Sequence, residues 1–265
     1  MSAGTKPIGR PGLSVRPWRP VVTLASVVAC AVLAAGALAG AVPFAVALIL
    51  VSAFVVGGWV VLLNLPTPRG TAAVLASSAV VMVGCVLVSG RDGVSWLPAA
   101  IALSLIAEFG HQLGRRDGRP RLVESVSSTV AGIAVLASGV SMLPLAAYEG
   151  GPQVVLVLMV AAAVAAIADV AVRWKAPPLV GALVAGGLGA SAAAIGAAVL
   201  PSCGVPVLFA AAVGALAGSA GHLVRRVQAV LPYLYGRRAQ LASAASSVLM
   251  LGVLANVAAW LGNTW

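Results

Sequence analysis

Four ionisable residues lie inside long apolar runs of the chain: Glu108, His111, Asp169 and His222. A polar group held in hydrocarbon is costly, so each is a candidate for function. Glu108 and His111 are three residues apart and would share one helix face, and the chain has only two histidines, His111 and His222. A carboxylate facing two imidazoles has the makings of a proton relay or of the polar lining of a substrate path, because histidine titrates closest to neutral pH. The competing assignment is structural. Glu108 would then pair with Arg115, and Asp169 with Arg173 four residues on, the spacing of a helical ion pair.

Arginine supplies a second set of candidates. Arg115, Arg116, Arg119 and Arg121 fall in one polar break, and Arg225, Arg226, Arg237 and Arg238 in another. Guanidinium forks match phosphate oxygens, so these breaks are candidate sites for lipid headgroups or a phosphorylated ligand. Membrane topology alone also accounts for them, since loops on the cytoplasmic side collect basic residues. Between the second arginine pairs, Leu231, Pro232, Tyr233, Leu234 and Tyr235 read as a segment resting in the membrane interface.

The elements that must position these residues are membrane-spanning helices. Of 265 residues 61% are hydrophobic and 8% charged, and the mean hydropathy is +1.08, outside the range of soluble domains. A span needs roughly 20 apolar residues, because the hydrocarbon core is about 30 Å thick and a helix rises 1.5 Å per residue. Nine segments meet this: 21–42, 43–64, 71–89, 96–113, 124–146, 153–173, 179–200, 205–224 and 239–261. Residues 1–20, with four basic residues and four prolines, form a disordered cytoplasmic arm, and 21–262 a single transmembrane domain. The first apolar run is too long for a signal peptide and reads as an uncleaved helix. The first two spans, parted only near Gly40–Pro43, must form a tight hairpin.

Charge sets the orientation. With the N-terminus inside, fifteen of the sixteen basic residues fall on the cytoplasmic side and only Arg91 outside, which also puts the C-terminus out. The net charge of +10 is therefore topological, and nucleic acid is not an expected partner. The expected surroundings are the lipid bilayer, anionic lipid headgroups, and a membrane-protein partner or a second copy of the chain. Fourteen arginines against two lysines fit a GC-rich bacterial genome and hence a bacterial cell membrane.

A shift of 111 residues lays Pro66–Arg116 on Pro177–Val227 without a gap, matching Gly70 with Gly181, Gly110-His111 with Gly221-His222, and Arg115 with Arg226. The repeat halves run over approximately 43–146 and 153–262. Four helices per copy preserve orientation, so the copies are parallel, and both histidines come to the cytoplasmic side. Small residues at fourfold spacing (Gly36 with Gly40, Gly214 with Gly218, and Ala182, Gly186, Ala190 and Ala194) mark close helix contacts.

No Walker loop, HExxH, nucleophile elbow or paired acidic metal motif occurs. Cys30, Cys85 and Cys203 are too far apart for a zinc site. Neither a cofactor, a metal nor a catalytic residue is expected. The fold expected is an all-α polytopic bundle, N-terminus in and C-terminus out. The function expected is that of a transporter or permease-like protein, with an inner-leaflet lipid-handling enzyme, or an accessory or scaffold subunit of a membrane complex, as the alternative.

Overall fold

The computed structural model describes residues 19–167, Asp169 and 177–262. Its regular structure is helical throughout, with no strand among the described residues. The helices are α1 (Pro20–Ala39), α2 (Ala41–Leu62), α3 (Pro68–Ser89), α4 (Gly93–Gly114), α5 (Leu122–Val140), α6 (Gly151–Ala166), α7 (Pro178–Val199), α8 (Val207–Ala229), α9 (Arg237–Leu249) and α10 (Gly252–Leu261). Proline opens α1, α3 and α7, where its missing N–H costs nothing and its fixed φ suits the first turn.

Seven helical stretches are long and apolar enough to cross a membrane: Pro20–Ala39, Ala41–Leu62, Pro68–Gly114, Leu122–Ala147, Pro178–Val199, Val207–Ala229 and Arg237–Leu261. The chain is thus a multi-pass membrane protein. Gly151–Ala166 is apolar but shorter. The 47 residues of Pro68–Gly114 count as one stretch by length, yet they are folded back on themselves. Gly70, near the start of α3, lies against the His111 ring in the last turn of α4, and Gly93 lies against Val86 at the other end. Each arm of this hairpin has 22 residues, or about 33 Å of helix, the thickness of a bilayer core.

The tight hairpin expected at the N-terminus is present. Gly40 alone joins α1 to α2 at φ 111°, a left-handed value that side-chain-bearing residues avoid. Gly36 lets α1 meet the backbone of Phe44 and the side chain of Ala47. Helices α7 and α8 approach equally closely: Gly214 and Gly218 lie on the backbone of Gly189 and Ala185. The contact stripe on α7 is Ala182, Ala185, Gly186, Gly189 and Ala193, all buried, whereas Ala190 and Ala194 of the expected stripe are only half-buried.

The expected last span, 239–261, lies within the apolar stretch Arg237–Leu261, which is interrupted once. Between α9 and α10 the chain turns at Met250–Leu251, and Gly252 presses on the carbonyl of Ser138 in α5. Ser138 Oγ donates to the Met250 carbonyl (2.9 Å) and accepts from the Val253 N–H (3.3 Å). Asn256 Nδ2 donates to Ser141 Oγ (2.9 Å). A gap in the helical ladder is tolerated in lipid when neighbouring hydroxyls satisfy the freed groups, and these do. Trp59 is buried between helices, its Nε1 donating to the Ser128 carbonyl (2.9 Å).

Basic residues gather at one end of the bundle. Arg121 Nη1 donates to the Asn64 carbonyl (2.7 Å), Asn64 Nδ2 to the Tyr233 hydroxyl (3.0 Å), and Arg19 stacks 4.9 Å from the Tyr235 ring centroid. These contacts tie the start of α1, the α2–α3 and α4–α5 turns and the α8–α9 loop into one layer. Arg91 sits on the opposite end, its Nε donating to the Ala147 carbonyl (3.2 Å) and its guanidinium over Tyr148.

Candidate functional site

At the basic end two polar groups are built into the helix ends, each around an arginine. The first is carried by α4, the loop after it and α5. Glu108 is fully enclosed, and its Oε1 accepts from Gln112 Nε2 (2.6 Å) one turn on. Gln112 Nε2 also donates to Ser125 Oγ (3.0 Å), and Gln112 Oε1 accepts from Arg115 Nη1 (2.8 Å). Arg115 then grips Asp117 with Nε (3.1 Å) and Nη2 (2.9 Å), and Nη2 also reaches the Pro120 carbonyl (3.3 Å). Hydrogen bonding to Arg115 holds the Asp117 carboxyl below the usual carboxylate range.

Glu108 therefore does not pair with Arg115 as its spacing allowed. Gln112 stands between them, and the loop supplies Arg115 with a nearer carboxylate. The other arginines of this loop are spent on it as well: Arg119 Nη2 donates to the Leu113 carbonyl (3.0 Å), and Arg121 pairs with Glu124 and Asn64. Arg119 and Arg121 hold left-handed φ values of 53° and 54°. The bonds of their side chains offset that strain. Arg116 is exposed.

The second group joins Asp169 to α8 and α9. Asp169 Oδ2 accepts from Arg225 Nε (2.6 Å), while Oδ1 accepts from Arg225 Nη2 (3.3 Å) and lies 2.9 Å from His222 Nδ1. Arg225 Nη1 also donates to Ser247 Oγ of α9 (3.3 Å). His222 and Arg225 are three apart on α8 and meet the carboxylate together. Gly221 leaves room for the guanidinium, since a Cβ there would stand 3.1 Å from Nη1. Arg173, the partner expected for Asp169, lies outside the described residues.

A small cavity opens on this second group, with room for water centres of about 20 Å³, enough for one or two waters. It is walled by Arg19, Val22 and Thr23 of the α1 end, by Asp169, by His222, Arg225 and Arg226 of α8, and by Ser243 of α9. Among the described residues, His222 Nε2 and Ser243 Oγ on its wall are buried and without a hydrogen-bond partner. His222 and Ser243 are 1% and 0% exposed, so only a molecule that enters the cavity satisfies these atoms. An uncompensated buried donor or acceptor costs about 1–3 kcal/mol. Three guanidinium groups face one carboxylate here, which makes the cavity a place for negative charge.

Comparison with known proteins finds nothing similar. No family model, curated protein or solved structure matches this chain. What the site does is therefore argued from its own geometry.

Of the four intramembrane candidates, Asp169 and His222 are in direct contact and line the cavity with Arg225 and Arg226. Glu108 and His111 stand apart: Glu108 belongs to the Gln112 group, and His111 fills the notch left by Gly70. No hydrogen bond or ion pair joins Glu108, His111 and His222 among the described residues, so the three-residue relay is not formed. Arg237 and Arg238 open α9, and the Arg238 carbonyl packs into the space left by Gly58 of α2. Among the described residues no three His, Cys, Asp or Glu side chains gather as a metal site would require. Sequence reasoning missed Arg19 as a site residue, and Ser243 and Ser247. The α9 serines carried a signal, the polar stretch Ser243–Ser247 in an otherwise apolar span, but Arg19 is indistinguishable by pattern from the other basic residues of the arm.

Proposed function

We propose that this chain is a bacterial cell-membrane protein of nine spans that binds an oxyanion of the phosphate type at its cytoplasmic end. Folding Pro68–Gly114 into two arms raises the seven long stretches to eight, and the shorter apolar helix Gly151–Ala166 is counted as the ninth. The one-sided distribution of arginine supports a cytoplasmic basic end. The observation that carries the reading is the cavity wall itself: Arg19, Arg225 and Arg226 around a single carboxylate, with His222 Nε2 and Ser243 Oγ unpaired beside them. Buried polar atoms are normally satisfied, and a group rich in acceptor oxygens satisfies these.

Such a group comes from solution or from a lipid headgroup, and one experiment separates the two. The purified full chain in neutral detergent is titrated with inorganic phosphate, and separately reconstituted in nanodiscs of phosphatidylcholine with or without phosphatidylglycerol, while thermal unfolding is followed. A free ligand raises the unfolding temperature with phosphate in detergent. A headgroup raises it only with phosphatidylglycerol. In either arm Arg226→Gln weakens the response about tenfold to a hundredfold, the worth of a charged hydrogen bond. No stabilisation by either probe contradicts the proposal.

Transport is the second reading, favoured by the repeat, which sets His111 and His222 at matching ends of the α3–α4 and α7–α8 pairs. In it the cavity is the cytoplasmic station of a carrier. Uptake of labelled phosphate by proteoliposomes, lost in Arg226→Gln, tests it. A bound anion with no uptake leaves the protein a lipid-handling or accessory subunit.

A further inference from the structure

The geometry points to an oxyanion that enters the cavity together with a proton held on His222; this rests on the oxyanion reading and deepens it. Asp169 fixes the state of the ring. Its carboxylate takes the Arg225 fork on one side and lies 2.9 Å from His222 Nδ1 on the other. An ionised carboxylate accepts and cannot donate, so Nδ1 carries the hydrogen of that bond. In a neutral ring the remaining nitrogen, Nε2, is then a bare lone pair. This is the atom that is buried, unpartnered and on the cavity wall.

A fully deprotonated oxyanion offers acceptors only. Set against a neutral His222, it would meet lone pair with lone pair, and the site would repel what its arginines attract. Protonation of Nε2 turns that contact into a charge-assisted hydrogen bond from a ring already held in place by Asp169. Proton and anion therefore bind with positive linkage, each raising the affinity for the other. Among the described residues, the charged and titratable groups around the ring are Asp169 from the segment after α6, Arg225 and Arg226 on α8, and Arg19 on α1, with Cys30 of α1 in electrostatic range of Arg225. Helix α9 adds only hydroxyls, Ser243 and Ser247. Of these residue types, histidine is the one whose charge ordinarily changes near neutral pH.

Sulfate is the suitable probe, because it keeps both charges across the range and brings no proton of its own. Its binding to the full chain in neutral detergent is measured by calorimetry from about pH 5.5 to about pH 8.5, the range in which histidine changes charge. The sign follows from linkage: affinity is highest at acid pH and falls by up to about tenfold per pH unit on the alkaline side. His222→Gln, which keeps a donor and cannot titrate, binds sulfate with a flat profile. As a check that needs no variant, wild-type protein takes up close to one proton per sulfate at the alkaline end, read from buffers of different ionisation enthalpy. Sulfate binding that is flat with pH in the wild type overturns the proton linkage and leaves the anion site standing. No sulfate binding at any pH overturns the site itself.

Discussion

The two arginine-centred groups at the basic end differ in one respect that decides their roles. Arg115 finds its carboxylate two residues away, in its own loop, and its remaining arms go to Gln112 and the Pro120 carbonyl. Arg225 finds its carboxylate 56 residues away, across the fold, on Asp169. A local partner makes a closed knot that shapes the α4–α5 turn. A distant partner draws three parts of the chain together and leaves a gap between them. Glu108 Oε2 in the first group and His111 Nε2 near it are also unpaired among the described residues, but Glu108 is fully enclosed and the His111 ring fills the notch of Gly70. The second sets its unpaired atoms on a cavity wall beside Arg19 and Arg226. The location of each arginine's countercharge thus fixes its task.

The largest expected contrast comes from removing each carboxylate. Asp169→Ala leaves Arg225 buried without a countercharge and destabilises the protein by about 3–5 kcal/mol. Asp117→Ala, at a half-exposed position with Gln112 still in place, costs clearly less. Equilibrium unfolding of both variants in mixed micelles measures the difference, and equal losses would remove the distinction between a buried bridge and a surface knot.

Glycine sharpens the same contrast at a smaller scale. Gly110 and Gly221 precede the two histidines, but nothing stands near a Cβ at Gly110 whereas Arg225 Nη1 stands 3.1 Å from one at Gly221. Gly221→Val overpacks the guanidinium and costs about 1–3 kcal/mol. Gly110→Val changes stability by no more than about 0.5 kcal/mol, the spread of helix propensity. Paired thermal unfolding curves check this.

The smallest effect is a pH dependence confined to the first group. The Asp117 carboxyl is held below its ordinary range by Arg115, so its contribution is present above the unfolded-state value and is lost as pH falls through the lower folded value. The α4–α5 turn should keep its hydrogen-exchange protection from neutral pH down through the usual carboxylate range and lose it only in stronger acid. Loss of protection already near neutral pH would show that Asp117 does not order the turn.

Much of the architecture was legible in the chain because lipid imposes a simple rule: apolar runs of sufficient length become helices, and polar breaks become turns. The α1–α2 hairpin at Gly40 and the Gly214–Gly218 contact followed from small residues in the right places. The break between α9 and α10 was not legible, because it depends on Ser138 of α5 reaching across to the backbone of Met250 and Val253. The site was legible in its members and not in its grouping. His222, Asp169, Arg225 and Arg226 were each marked by being polar where lipid or its edge is expected, but spacing offered Asp169 only a neighbour at i+4. Its bonds to α8 depend on the tertiary fold, as does the separation of Glu108 from Arg115 by Gln112.

The most direct test of the central contrast is an anomalous-difference map from crystals of the full chain grown with selenate, an oxyanion that its selenium makes visible. The predicted result is a selenium peak that places selenate oxygens within hydrogen-bond distance of His222 Nε2 and Ser243 Oγ, between Arg19 and Arg226, with none in the Arg115–Asp117 loop. Selenate bound in that loop, with the cavity beside His222 empty, would contradict the account.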